Sequence, residues 1–81
     1  MTGEEAAAFV AQLRAGKRFV TRFQEEEWGL TYAGDGRYHK WTHRPDHESE
    51  ETLEETLTEP ALLNLLTAHY RYDVMAANLR D

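Results

Sequence analysis

Three histidines and one aspartate are the residues whose types best fit metal chemistry in this chain. They lie in the segment HKWTHRPDH, as His39, His43, Asp46 and His47. On a strand, His39 and His43 share a face but lie about 13 Å apart, because each residue advances the chain by roughly 3.3 Å. Two such side chains cannot bind one ion from a regular strand, and the spacing matches no standard ligand pattern. The sequence therefore predicts no metal site and no cofactor.

The chain offers little for nucleophilic or acid–base catalysis. Its single serine, Ser49, lies in an acidic segment that disfavours a developing negative charge, and there is no G-x-S-x-G motif. Carboxylates are numerous, but acid–base catalysis requires a concave and desolvated site. The carboxylates within residues 25–27 and 50–55 are predicted to be exposed. We therefore predict that the protein is not an enzyme and has no catalytic residue.

The composition indicates one small domain. The 81 residues include no cysteine, so neither disulfides nor thiolate zinc sites can stabilise the fold. A hydrophobic fraction of 41% is enough for one core. The amino-terminal segment lacks the basic region of a signal peptide, and the longest apolar run, near residues 61–66, is too short to span a bilayer. We expect a single domain over residues 1–81, a cytoplasmic location and no membrane partner.

Charge is distributed unevenly along the chain, whose net charge is −6. Residues 17–44 carry six basic and four acidic groups, whereas residues 45–60 carry seven carboxylates and no basic group. The overall acidity argues against non-specific binding of nucleic acid. The acidic segment fits two interpretations: a surface that docks on a basic protein, or a solvated edge that prevents strand-to-strand aggregation.

Helix signals occur at both ends of the chain. Thr2 and Glu5 have the spacing of a capping box, apolar residues follow at helical spacing, and Gly16 is typical of the position after a helix. These signals predict a first helix over residues 3–15. Thr58 and Pro60 mark the start of a second helix, predicted to run from about residue 59 to residue 79.

Between the helices, alternating side chains predict an antiparallel meander with strands over residues 17–23, 28–33 and 37–43. Asp35-Gly36 favours a two-residue type I′ turn in which Gly34 opposes Arg37. This register places both tryptophans on one face, and a one-residue shift is rejected because it would move Trp41 to the opposite face. The predicted core face comprises Phe19, Thr21, Phe23, Trp28, Leu30, Tyr32, His39 and Trp41, and the predicted open face comprises Val20, Arg22, Gly29, Thr31, Ala33, Tyr38, Lys40 and Thr42.

Residues 49–58 fit either a helix or a strand. Their carboxylates favour a strand, because an acidic neighbour beside the basic third strand would form opposite-charge cross-strand pairs. The predicted fold is therefore α+β, in the order α-β-β-β-(β)-α. It is an antiparallel sheet of three or four strands with two helices packed on one face.

The surfaces of this fold predict a small acidic, non-enzymatic interaction module, of a regulatory, accessory or inhibitor-like kind. It would act through protein–protein contacts with an unidentified partner, and a homodimer is left open. The alternative function is nucleic-acid binding through the open basic sheet face, where Tyr38 would stack on bases. A third interpretation is that this face is an ordinary solvated surface and binds no partner. The predicted partner-binding residues are Arg22, Tyr38, Lys40, Arg44, Glu50, Glu51, Glu54 and Glu55.

Overall fold

The computed structural model describes residues 1–23, 25–44 and 51–81, and it forms an α+β domain around one antiparallel sheet. The predicted fold class is confirmed, with five strands in place of three or four. The strands lie in the order β4-β3-β2-β1-β5. The elements along the chain are α1 (Gly3–Arg14), β1 (Arg18–Phe23), β2 (Glu26–Gly34), β3 (Arg37–Arg44), β4 (Glu51–Thr58), α2 (Glu59–His69), α3 (Tyr72–Ala76) and β5 (Leu79–Arg80).

Helix α1 begins and ends where its sequence signals predict. The backbone N–H of Glu5 donates to Thr2 Oγ1 at 3.1 Å, and the Thr2 N–H donates to Glu5 Oε1 at 2.8 Å, which completes the capping box. After the helix, Gly16 takes a φ of 107°, a conformation that favours glycine. The apolar side chains at helical spacing are all buried, namely Ala6, Phe9, Val10 and Leu13.

The β2–β3 hairpin contains a bulge that the sequence-based register omits. Asp35 and Gly36 take φ values of 54° and 71°, as a type I′ turn requires, and Gly34 opposes Arg37 as predicted. Beyond that pair the register shifts, because Tyr32 and not Ala33 lies opposite Tyr38. Gly34, at a φ of 92°, supplies the left-handed conformation that accommodates the extra residue.

Because of this bulge, the side chains of β3 lie on the faces opposite to those predicted. The predicted pairs between Leu30 and Trp41 and between Tyr32 and His39 are wrong, since Leu30 lies opposite Lys40 and Tyr32 opposite Tyr38. The β1–β2 pairing differs by two residues, which leaves its faces unchanged, and Phe19 lies opposite Leu30. We call the side that bears the buried residues the core face: Phe19, Thr21, Trp28, Leu30, Tyr32, Tyr38, Lys40 and Thr42. The outer face bears Val20, Arg22, Gly29, Thr31, His39, Trp41 and His43.

Residues 51–58 form a strand, as the charge argument predicted. All eight residues of β4 pair with β3 in one unbroken antiparallel register. An expected opposite-charge pair is present, since Lys40 Nζ lies 3.7 Å from Glu55 Oε1. His39 Nε2 also lies 3.7 Å from Glu54 Oε1, and this contact is an ion pair when the histidine is protonated.

The predicted long second helix is wrong beyond residue 69. Its start is as expected, because Thr58 Oγ1 accepts from the Ala61 N–H at the helix amino terminus. The chain then becomes extended at Tyr70, whose φ is −128° and ψ is 157°. This break lets the Tyr70 ring pack on Trp28, with centroids 5.2 Å apart, and lets Leu79 pair with Phe19 in the short strand β5. Burial of these side chains against the sheet therefore replaces a continuous helix.

The core joins the helices to three residues of the core face. Phe19, Leu30 and Tyr38 are each at most 1% exposed, and they form one cluster with the buried side chains of α1, α2 and Met75 of α3. The Phe9 and Phe19 rings meet edge to face, with centroids 5.7 Å apart. The outer face of the sheet is thus the one that contributes nothing to this cluster, as far as the described residues show.

Candidate functional site on the outer sheet face

Trp41 lies at the centre of the outer face. The strand register places it between Gly29 of β2 and Glu54 of β4, and Val20 follows beyond Gly29 on β1. Rows of polar residues lie on both sides, with Thr31, His39 and Thr56 in one and Glu27, His43 and Thr52 in the other. An aromatic ring surrounded by polar side chains is therefore the main feature of this surface.

The indole of Trp41 covers the backbone of Gly29. A Cβ atom built on Gly29 would lie 2.6 Å from Trp41 Cζ2 and 2.7 Å from the Phe19 carbonyl oxygen, both too close for a real side chain. Only glycine admits the ring at this position. Trp41 is half-buried where it lies over β2, and neither Trp41 nor Val20 is among the described side chains that pack on the core.

Among the described residues, the outer face carries more positive than negative charge. By strand alternation, its exposed arginines lie at the margins, and two of them, Arg18 and Arg80, face each other across the β1–β5 pair. Its described carboxylates are Glu27, opposite Arg22, and Glu54, which contacts His39. The arginines on this face are Arg18, Arg22, Arg37 and Arg80.

Histidines belong to this face as well. His43 Nδ1 lies 3.0 Å from Thr52 Oγ1, within hydrogen-bonding distance, and His39 has 37% of its side chain exposed. They lie on either side of Trp41 in β3, where the sequence-based register had placed His39 in the core. Among the described residues, no group of three or more histidine, aspartate or glutamate side chains is arranged to hold a metal ion.

The predicted placement of Tyr38, Lys40 and Thr42 on an open basic face is wrong. Tyr38 has 0% of its surface exposed and belongs to the core. Lys40 lies on the core face, with its ammonium 5.6 Å from the centroid of the Trp28 ring. The cause is the bulge at Gly34, which turns each even-numbered residue of β3 inward.

The other predicted binding residues are divided among several positions. Arg22 lies exposed on the outer face as predicted, whereas Arg44 Nε donates to Glu26 Oε1 at 2.5 Å on the core face. Glu51 pairs with Arg44 in the register of β4, and Glu50 lies outside the described residues. Glu54 and Glu55 lie on opposite faces of β4, each beside a basic residue of β3.

Sequence reasoning missed Trp41 as a surface residue, although two glycines signalled it. Gly29 interrupts an otherwise alternating strand, which is typical of a bulge or of a close approach to the backbone. Gly34 precedes the turn pair and provides the conformation that a bulge requires. Together they indicate that a large group of the neighbouring strand can lie over β2.

On the core face, Tyr38 anchors a polar network where α1, α2 and β3 meet. Its hydroxyl donates to Glu59 Oε1 at 2.7 Å, and Arg14 Nη1 donates to the same oxygen at 3.1 Å. Burial and the hydrogen bond to Glu59 raise the pKa of Tyr38 to about 12. The same hydrogen bond lowers the pKa of Glu59, and the positive charge of Arg14 acts in the same direction. The network therefore fixes the start of α2 on the sheet.

Tyr38→Phe is expected to destabilise the protein by about 1 kcal/mol near neutral pH, because it removes a charge-assisted hydrogen bond. The lowered pKa of Glu59 means that its contribution is present above its ordinary value of 4.5 and is lost as the pH falls through the folded-state value. The raised pKa of Tyr38 means that its contribution is present below about pH 10 and is lost as the pH rises toward 12. Urea unfolding of both proteins between pH 3 and pH 11 measures the difference.

The matched control for this experiment is Tyr72→Phe. Its hydroxyl accepts from Gln12 Nε2 at 3.5 Å, a longer contact than that of Tyr38 with Glu59, so we expect a smaller change. A difference between wild type and Tyr38→Phe that stays constant over the whole pH range would contradict the proposed network.

A groove of about 360 Å³ lies on the core face beside α3. The rings of Phe19 and Trp28 have centroids 4.8 Å apart, and Trp28 also contacts Tyr70, so these walls pack on one another. Val74 is 56% exposed at the rim. We interpret the groove as the margin of the core. Its lining residues are Phe19, Thr21, Glu26, Trp28, Tyr70, Val74, Met75 and Asn78.

Known proteins provide no analogy for either surface. Comparison with protein-family models, with curated proteins and with solved structures finds no match to this chain. Within the part of the chain that the structure describes, no helix has the length and apolarity needed to cross a membrane. Any functional assignment therefore depends on the geometry of the sheet.

Proposed function

We propose that the protein is a non-catalytic interaction module that binds a partner protein on its outer sheet face, with Trp41 as the anchor. The observation that supports this function is the position of Trp41, which lies over Gly29 and outside the described core cluster. Its side chain is half-buried. Tryptophan is, with tyrosine and arginine, enriched among the residues that dominate protein–protein binding energy.

The surroundings of Trp41 support the same function. Arginine, like tryptophan, is enriched at interfaces, and Arg22 and Arg18 lie on this face beside Val20. The threonines of β2 and β4 and the two histidines form a polar rim around the apolar centre. An apolar centre within a polar rim is the usual anatomy of an interface between separately folded proteins.

Trp41→Ser is expected to reduce the capture of partner proteins from a lysate of the source organism at least tenfold. Loss of a central aromatic anchor typically costs 2 kcal/mol or more of binding free energy, and about 1.4 kcal/mol corresponds to a factor of ten. Quantitative mass spectrometry of the captured proteins, with immobilised wild type and variant compared, gives the ratio. Thermal unfolding followed by circular dichroism verifies that the variant is folded.

Val74→Ser is the matched control, since it removes an apolar side chain that is 56% exposed but lies at the groove of the core face. We expect it to capture the same partners as the wild type. If Trp41→Ser and wild type capture identical sets, the outer face is not the binding surface.

Single-stranded nucleic acid is the second candidate partner. The observation in its favour is that the described arginines of the outer face outnumber its carboxylates around an aromatic ring, an arrangement that can stack one base and contact phosphates. A ribonuclease- and deoxyribonuclease-treated lysate decides between the two within the same experiment. Trp41-dependent capture that survives nuclease supports a protein partner, and capture that disappears supports nucleic acid.

A further inference from the structure

Strand β4 is an edge strand of the sheet formed by residues 1–23, 25–44 and 51–81. It pairs with β3 on one side, and no other described strand pairs with it. Alternate residues of its eight-residue length therefore direct their N–H and C=O groups away from the sheet. Such a row of donors and acceptors is a template for a further strand.

Few of the usual protections of an edge strand are present in β4. Its register with β3 runs from Glu51 to Thr58 without a bulge, and its sequence ETLEETLT contains no proline. Residues 52–56 are all exposed. Among them, Leu53 is 47% exposed beside a depression of about 130 Å³, which Lys40 and Thr42 also line. A neighbouring strand could thus both pair with the backbone and bury an apolar side chain.

The charges of β4 decide which strand can pair with it. Glu54 projects on the outer face and Glu55 on the core face, and their side chains are 64% and 58% exposed. A second copy of β4 would place further carboxylates near Glu54 and Glu55, and like charges that lie opposite each other are destabilising. A basic strand would instead gain cross-strand ion pairs on both faces. Charge thus disfavours self-pairing and favours a basic partner.

We propose that β4 binds an extended basic segment of a partner protein, which adds a sixth strand to the sheet by main-chain hydrogen bonding. This inference rests on the proposed function and specifies its partner, because a strand beside Glu54 lies next to the row that contains Trp41. The segment carries two adjacent basic residues, opposite Glu54 and Glu55, and apolar residues opposite Leu53 and Leu57. In the antiparallel direction it reads apolar, any, basic, basic, apolar.

A fluorescein-labelled peptide with the sequence TVTKRVT tests this partner chemistry by fluorescence anisotropy with the full chain. Two control peptides separate the contribution of charge from that of main-chain hydrogen bonding. TVTEEVT reverses the charge, and TVPKRVT keeps the charge but removes one backbone N–H donor. We expect both controls to bind at least tenfold more weakly. The protein variant with Glu54→Gln and Glu55→Gln is expected to lose a similar factor for TVTKRVT.

Amide hydrogen exchange by NMR locates the peptide. Bound TVTKRVT is expected to slow exchange at alternate residues of β4, those whose N–H groups point away from β3, and to leave β5 at the other edge unchanged. Equal affinity for TVTKRVT and TVPKRVT, or unchanged exchange in β4, would overturn strand addition. A dimer formed through β4, seen by sedimentation and by slowed β4 exchange at high protein concentration, would overturn the proposal, because a second copy would then occupy this edge.

These outcomes are distinct from failure of the proposed function. If partner capture depends on Trp41 but TVTKRVT does not bind, strand addition is wrong and the outer-face function stands. If TVTKRVT protects β4 but capture is unaffected by Trp41→Ser, the outer-face function is wrong and the partner binds at the edge alone.

Discussion

Replacing Phe19 with alanine is expected to destabilise the protein by about 3–5 kcal/mol. Its side chain is 1% exposed and contacts the rings of Phe9 and Trp28, and its backbone pairs with Leu30 and Leu79. The cavity left by the missing ring would lie between α1 and three strands of the sheet. A domain of 81 residues has an unfolding free energy of only about 4–12 kcal/mol, so this one truncation removes a large part of it. Urea unfolding monitored by tryptophan fluorescence measures the loss.

Val20→Ala is the control for this measurement, since Val20 is the next residue of β1 and lies on the outer face. We expect a loss of about 1 kcal/mol or less, because the valine is not among the side chains packed on the described core. Similar losses for Phe19→Ala and Val20→Ala would contradict the assignment of the two faces.

Gly29→Ala is expected to destabilise the protein by about 1–3 kcal/mol, although it adds a single methyl group. The new Cβ atom would lie 2.6 Å from Trp41 Cζ2 and 2.7 Å from the carbonyl oxygen of Phe19. The Trp41 ring can move, but the Phe19 carbonyl belongs to the paired strand β1 and can move only if the sheet distorts. Chemical unfolding of the variant, at equal protein concentration and pH, gives the difference in free energy.

A double-mutant cycle with Trp41→Ala separates the two contacts of Gly29. In the absence of the ring only the carbonyl contact remains, so Gly29→Ala should cost less in the Trp41→Ala background than in the wild type. Gly3→Ala is the matched glycine control, because a Cβ there has nothing within 4 Å and lies in the first turn of α1. It is expected to be neutral or stabilising by up to about 1 kcal/mol. Equal costs in both backgrounds would show that the indole does not cover Gly29.

Phe19 and Gly29 lie on opposite faces of the same sheet. The candidate site differs from the predicted one because the face of each strand was not predicted with equal success. The alternation of β1 and β2 correctly assigned Phe19, Trp28 and Leu30 to the core, since each strand carries its apolar residues at every second position. The face of β3 depends in addition on the number of residues between β2 and β3. One extra residue at the bulge therefore places Tyr38 on the core face and Trp41 on the outer face, the reverse of the predicted arrangement.

Local signals determined much of this protein without reference to its tertiary structure. The capping box at Thr2 and Glu5, the Asp35-Gly36 turn and the start of α2 at Thr58 act through contacts within a few residues, so the sequence alone predicts them. Charge composition favoured a strand over a helix for residues 49–58, because an acidic strand beside basic β3 gains cross-strand pairs, and residues 51–58 do form that strand.

The tertiary structure alone decided which aromatic residue is left outside the core. By residue type, both Tyr38 and Trp41 fit either the core face or the outer face. Packing against the rest of the fold determined which of them is buried. With the bulge, Tyr38 fills the core and its hydroxyl donates to Glu59, while Trp41 finds space only over Gly29. The break of α2 at Tyr70 has the same origin, since contact of its ring with Trp28 outweighs helix propensity. Long-range burial decided both positions; Gly29 and Gly34 indicate only that a large group can lie over β2, not which residue it is.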